Sequence, residues 1–161
     1  MMTRERSRLF ILSLVVATLG IFQAAQAAGP VTTLSQNSVT GPALAVFNGR
    51  LYMAWTGTDN PNHLNVAYTT DGVNFTAPVT LSGNSSVAWA GPGLAAFNGK
   101  LYLSFTGGSS WINIISSSDG VTWGNQVVTS LKAEGSTALA VSVDGTAMYL
   151  SFADLSAQHY V

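Results

Sequence analysis

Cysteine is absent from all 161 residues, so neither a disulfide framework nor a thiolate metal site is available to this chain. Charge is nearly as scarce. Charged residues make up 8% of the sequence against 47% hydrophobic, where an ordinary globular chain is about one quarter charged. Too few cations are present to line a phosphate backbone, which argues against nucleic acid as a partner. Apolar residues do not recur with a helical period, and only one apolar run approaches the length of a membrane span.

That run stands at the front. Arg4, Arg6 and Arg8 precede an apolar stretch over 9–22, and Ala25-Gln26-Ala27 follows as a small-x-small cleavage signal. The pattern over 1–27 predicts a secretory signal peptide, hence a secreted or periplasmic protein with no membrane span after cleavage. The remaining 28–161 keeps three cations (Arg50, Lys100, Lys132) against six acids (Asp59, Asp71, Asp119, Glu134, Asp144, Asp154).

What the chain does have is repetition. GPALAVFNGRLYMAW from Gly41 returns as GPGLAAFNGKLYLSF from Gly91, and a blurred third copy, TALAVSVDGTAMYLSF, starts at Thr137. Each copy holds short runs rich in β-branched and aromatic residues, which read as strands. In the first, 43–47 and 50–56 flank Asn48-Gly49, a pair suited to a type I′ hairpin. Runs at 63–69 and 75–81 follow, separated by Asp71-Gly72. The second unit repeats the order at 94–97, 100–106, 111–117 and 123–131, and the third begins it at 138–141 and 147–152. Four strands, here a to d, recurring every ~45–50 residues give the period of a β-propeller blade. The expected fold is therefore all-β, with blades at approximately 41–82, 91–131 and 137–161. The segment 30–35 matches 78–82 and is expected as a closing strand d.

Two turns carry a resemblance. Ser117-Ser118-Asp119-Gly120-Val121-Thr122-Trp123 and, more loosely, Thr69-Thr70-Asp71-Gly72-Val73-Asn74-Phe75 resemble the Asp-box (BNR) repeat of sialidase-like propellers, with Asp and Gly one residue closer than in the usual pattern. The resemblance implies a structural role for Thr69, Asp71, Gly72, Phe75, Ser117, Asp119, Gly120 and Trp123. The physics agrees: Asp bonds its own turn, and Gly takes the positive-φ position.

About three blades are too few for a closed ring, which takes about four to eight. Two chains forming a six-bladed ring, a plan similar to that of short-chain propeller lectins, would bury the end faces. A truncated longer propeller is the alternative.

Meander geometry sends the longer b–c and d–a connections to one end, where function usually resides. This places Asp59, Asn60, His63, Trp111 and Trp89 on one face, joined by Lys132 and Glu134. An exposed Trp89 indole beside amide and carboxylate groups suits a sugar, whereas Trp111, at the start of a strand, reads first as packing; a glycan or a protein is the expected ligand. Asp59-Asn60-Pro61-Asn62 lacks the glycine and bidentate glutamate of a calcium loop. His63 and His159, without nearby carboxylate or thiolate ligands, make a poor zinc site, so no metal or cofactor is expected. Sialidase-type catalysis needs three arginines, a tyrosine with a glutamate partner and an aspartic acid, whereas 28–161 holds one arginine and one glutamate. The expectation is a non-catalytic binding module. An N-terminal fragment of a sialidase-like glycoside hydrolase and a protein-interaction scaffold are the alternatives.

Overall fold

The computed structural model describes residues 8–11, 32–81 and 90–155, and every regular element among them is a β-strand. In chain order these are β1 (Arg8–Ile11), β2 (Thr32–Asn37), β3 (Ala43–Phe47), β4 (Arg50–Thr56), β5 (Leu64–Thr69), β6 (Val79–Thr80), β7 (Gly93–Phe97), β8 (Lys100–Thr106), β9 (Trp111–Ser117), β10 (Gly124–Val141) and β11 (Met148–Asp154). All pairings are antiparallel. The order β3-β4-β5-β6 is one meander, and β7-β8-β9-β10-β11 is a second, longer one.

Local chemistry explains the turns. Asn48 and Gly49 have φ of 48° and 72°, and Asn98 and Gly99 have 49° and 71°. Two successive positive φ angles match the right-handed twist of the strands, so Phe47 pairs with Arg50 and Phe97 with Lys100. The turns after β5 and β9 are built by their acids. Asp71 Oδ1 accepts from the N–H groups of Val73 (2.9 Å) and Asn74 (2.7 Å), while the Thr69 hydroxyl donates to it at 2.8 Å. Asp119 Oδ1 does the same for Val121 (2.8 Å) and Thr122 (2.7 Å), with Ser117 donating at 2.9 Å. The third repeat carries a related turn one hairpin earlier, where Ser142 and Thr146 donate to Asp144.

These bonds favour the ionised acids. The Asn74 backbone and amide, then Val73 and Thr69, hold Asp71 well below the usual carboxylate range. The Val121 and Thr122 N–H groups, then Ser117, do so for Asp119. Ser142 and Thr146 lower Asp144 as well. A carboxylate whose folded pKa is depressed contributes stability above its unfolded pKa, and that contribution is lost as pH falls through the folded value. Melting temperature should therefore be insensitive to these groups from pH 7 to 5 and fall once pH drops below about 4. In D71N/D119N/D144N the acid limb should flatten; an unchanged slope in thermal melts between pH 2.5 and 7 would show that the three turns do not set it.

Side-chain alternation then dictates how the sheets meet. Tyr52, Ala54, Leu64 and Val66 share one face of the first sheet and join Leu94, Leu101, Leu103, Phe105 and Ile115 of the next in a single core. Tyr52 and Phe105 are essentially inaccessible there, each such ring being worth about 1.5–3 kcal/mol of burial. The opposite face of the second sheet meets the third repeat: Ser104 Oγ and Thr137 Oγ1 share a 2.8 Å hydrogen bond. The strands that open successive repeats lie side by side, with β7 between β3 and the second half of β10. Face-to-face stacking buries both faces of the middle sheet, which is why so few charges suffice.

Two features differ from the sequence reading. The connection between the second and third repeats is not a loop. β10 runs for 18 residues as one strand, pairing first with β9 and then with β11, with register breaks at Val128/Lys132 and Ala133/Thr137. Its backbone stays bonded across the bend because the Ala133 N–H donates to Ser110 O at 2.9 Å. Lys132 and Glu134 are therefore strand residues. The expected strand at 75–81 is regular only at Val79–Thr80; the chain before it is irregular and held to β5 through Thr76, whose N–H donates to Tyr68 O at 2.9 Å.

The segment expected as a closing strand appears as β2, whose antiparallel partner is β1. Leu34 of β2 and Phe75 pack against Met53, Trp55 and Ala67, the face of the first sheet turned away from the second. Apart from Arg8–Ile11, the expected signal peptide lies outside the described residues, as do Pro30, Trp89 and His159.

Candidate functional site at the long-connection end

Repeated asparagines build this end of each sheet. Asn65, second in β5, donates through Nδ2 to the His63 carbonyl at 3.1 Å and accepts from Thr80 Oγ1 at 2.8 Å. Asn113 stands at the same place in β9. It donates to the Trp111 carbonyl at 2.8 Å and accepts from Gln126 Nε2 at 2.9 Å. Backbone bonds close both connections: the Gly57 N–H donates to His63 O at 2.8 Å, and the Gly107 N–H to Trp111 O at 2.9 Å. His63 and Trp111 are thus the same position of successive sheets, fixed by the same bonds and differing in side chain.

In the first sheet, the Asp59 carboxylate takes the ring of His63 through Oδ2···Nδ1, and Oδ1 accepts the His63 backbone N–H at 3.2 Å. Desolvation raises the Asp59 pKa, but the His63 ring and backbone bonds outweigh it and leave the acid below its ordinary value. This corrects the expectation that no carboxylate lies near that imidazole. Asn60 precedes a cis peptide to Pro61 and stays exposed. Gly57 leaves room for this cluster, since a Cβ there would sit 2.6 Å from Asp59 Oδ1 and 2.9 Å from Asn65 Nδ2 and would displace both side chains.

In the second sheet, Trp111 is 37% exposed, and the Lys132 ammonium lies 4.6 Å from its ring centre. Lys132 reaches it because β10 pairs Lys132 directly opposite Trp111. Such a contact is worth about 0.5–1 kcal/mol at an exposed site, and it holds the indole in one orientation. Ser110, just before it, has φ of 67° and donates its N–H to Gly107 O at 2.8 Å.

Between these clusters, threonines tie each sheet to the connection leading into the next. Thr56 Oγ1 donates to Ala90 O at 2.7 Å, and Thr106 Oγ1 to Gly135 O at 2.6 Å. The Gly91 N–H donates to Ser136 Oγ at 2.7 Å, and the Thr137 N–H to Gly91 O at 3.1 Å. Equivalent positions of successive repeats thus meet at this end.

The structure therefore brings Asp59 to His63 and Lys132 to Trp111, while Arg50 lies at the opposite end over the Tyr68 ring, 4.5 Å from its centre. Among the described residues no group of three His, Asp or Glu side chains could hold a metal. Asn65, Asn113 and the Lys132 contact escaped the sequence reading. The asparagines had a legible signal, a polar residue at the same place in HLN and WIN; the Lys132 contact had none, since it depends on β10 continuing through the bend. No protein-family model matches the chain, and no curated protein matches it either.

Proposed function

We propose that this chain is an exported, non-catalytic binding module of propeller type whose long-connection end takes a glycan. The observation that supports it best is the half-exposed Trp111 ring, steadied by Lys132 and flanked by bonded serine and asparagine. A flat apolar plate among hydrogen-bonding groups fits the C–H face and the hydroxyls of a sugar ring. The Asp59–His63 pair at the equivalent place of the first sheet is a polar neighbour of different chemistry. Repeated shallow sites would act through avidity rather than single-site strength. Export is proposed from Arg4, Arg6, Arg8, the apolar run and Ala25-Gln26-Ala27. Asp71, Asp119 and Asp144 are engaged in their own turns, which weighs against a pair of facing catalytic acids.

Binding to an immobilised glycan panel tests the reading. Trp111→Ala should weaken any glycan found by about tenfold, near 1.4 kcal/mol, while Arg50→Ala at the far end leaves it unchanged. Absence of binding across neutral and acidic glycans, or equal affinity in W111A, would remove the proposal.

A further inference from the structure

The first and second sheets dock through one specific contact. Tyr52 of β4 reaches across and its hydroxyl lies 3.4 Å from Asp119 O, donating to it, with the ring seated on Gly120. Gly120 has φ of 76°, and any Cβ there would overlap the tyrosine. A tyrosine of strand b thus docks on the Asp-Gly turn of the following sheet.

Both halves of this contact recur at the two ends of the stack. Asp71-Gly72 repeats the turn with the same φ of 76°, yet a Cβ on Gly72 would meet nothing within 4 Å. Tyr149 of β11 aligns with Tyr52 in the repeat, but Tyr149 is 62% exposed where Tyr52 is 0%. Neighbouring positions behave alike: Leu44 is 44% exposed, while its counterpart Leu94, covered by the first sheet, is 5%. The free face around Tyr149 carries Ala138, Ala140 and Ser151, all exposed and without charge.

β2 supplies the second observation. Leu81, at the end of the first sheet, is buried in the core shared with the second. Leu34 matches it in sequence and packs on the corresponding Met53–Trp55 face of the first sheet. The chain therefore already places β2, with β1 paired to it, where a preceding sheet's last strand would lie, while the Gly72 turn itself has no atom within 4 Å of an added Cβ.

We infer that two copies of this chain associate head to tail, Tyr149 of one docking on the Asp71-Gly72 turn of the next and repeating the Tyr52–Gly120 contact. Such an interface is heterologous, so it builds a ring where the rotation closes and a filament where it does not. Three independent likenesses to the internal interface carry it: the open glycine, the exposed tyrosine and the position of β2. It stands apart from the glycan reading, because neither Tyr149 nor Gly72 lies at the long-connection end.

Sedimentation velocity on the purified chain tests it. The wild type should show a mass at least twice that of one chain at tens of micromolar. Tyr149→Glu, which puts a charge on the free face, and Gly72→Ala, whose methyl would meet the incoming ring, should each be folded by circular dichroism and monomeric. Gly145→Ala, with φ of 70° and open surroundings, controls for backbone strain and should associate like the wild type. The decisive sample is a one-to-one mixture of Y149E and G72A. The tyrosine of the second fits the turn of the first, so the mixture should form heterodimers and nothing larger. A monomeric wild type, single variants that associate unchanged, or a mixture of folded variants that stays monomeric would each overturn the inference.

Discussion

Gly120→Ala should destabilise the chain by about 2–5 kcal/mol, whereas Gly145→Ala should cost only about 1–2 kcal/mol, the strain of a left-handed non-glycine residue. The two glycines have nearly the same backbone, φ of 76° and 70°, and each follows an aspartate that bonds its own turn. They differ in what lies above them. A Cβ on Gly145 meets open space, while one on Gly120 would stand 2.7 Å from Tyr52 Cε1 and closer still to Cζ and Oη. Tyr52 has no room to retreat. Its ring is inaccessible to solvent, with Phe47 at 6.2 Å and Tyr68 at 5.3 Å between centroids. Overpacking of this kind adds typically about 1–3 kcal/mol to the backbone strain. Urea unfolding of both variants, at a concentration too low for association, measures the difference directly. Equal losses would mean that the Tyr52 contact does not hold the first two sheets together.

Gly93→Ala is the second large effect, and it acts on a different pair of sheets. Gly93 sits in β7 without a positive φ, so its lack of a side chain serves packing alone. A Cβ there would lie 2.6 Å from Ser104 Oγ and 2.9 Å from both Ala138 Cα and Leu139 N. Two of these atoms belong to the β10 backbone and cannot rotate away. The methyl must push β10 off β7, and the Ser104–Thr137 hydrogen bond spans the same gap. Cost should be about 2–3 kcal/mol, and its location is the sharper test. Hydrogen exchange should speed up across β11 and the second half of β10, with β3–β5 protected as before. Uniform acceleration would show that the three repeats unfold as one unit and that the gap is not the weak seam.

Much of this architecture was legible beforehand, and for identifiable reasons. Asn48-Gly49 and Asn98-Gly99 set their hairpins because a type I′ turn is local, needing only two residues that tolerate positive φ. β3 and β4 begin and end at the residues read from the sequence, since apolar runs between such turns leave little freedom. Trp55 and Phe105, the residues that end the two quoted copies, are both buried. The candidate site was legible only in part. Asp59, His63 and Trp111 were named from loop position, but the Asp59–His63 pairing requires the chain to fold back through Asn60 and Pro61, which composition does not show. Lys132 was placed near Trp111 as a loop residue. It reaches the ring because β10 does not break where a loop was expected.

The sequence by itself determined the strands, their order and the tight turns, because these follow from side-chain alternation and from backbone preferences a few residues long. Only the tertiary structure decided which face of each repeat meets its neighbour. Tyr52 is sealed, while Tyr149, the same residue in the same motif, stands open. That difference is not encoded in either tyrosine's neighbours along the chain; it arises because, among the described residues, one repeat has another stacked on its face and the other does not.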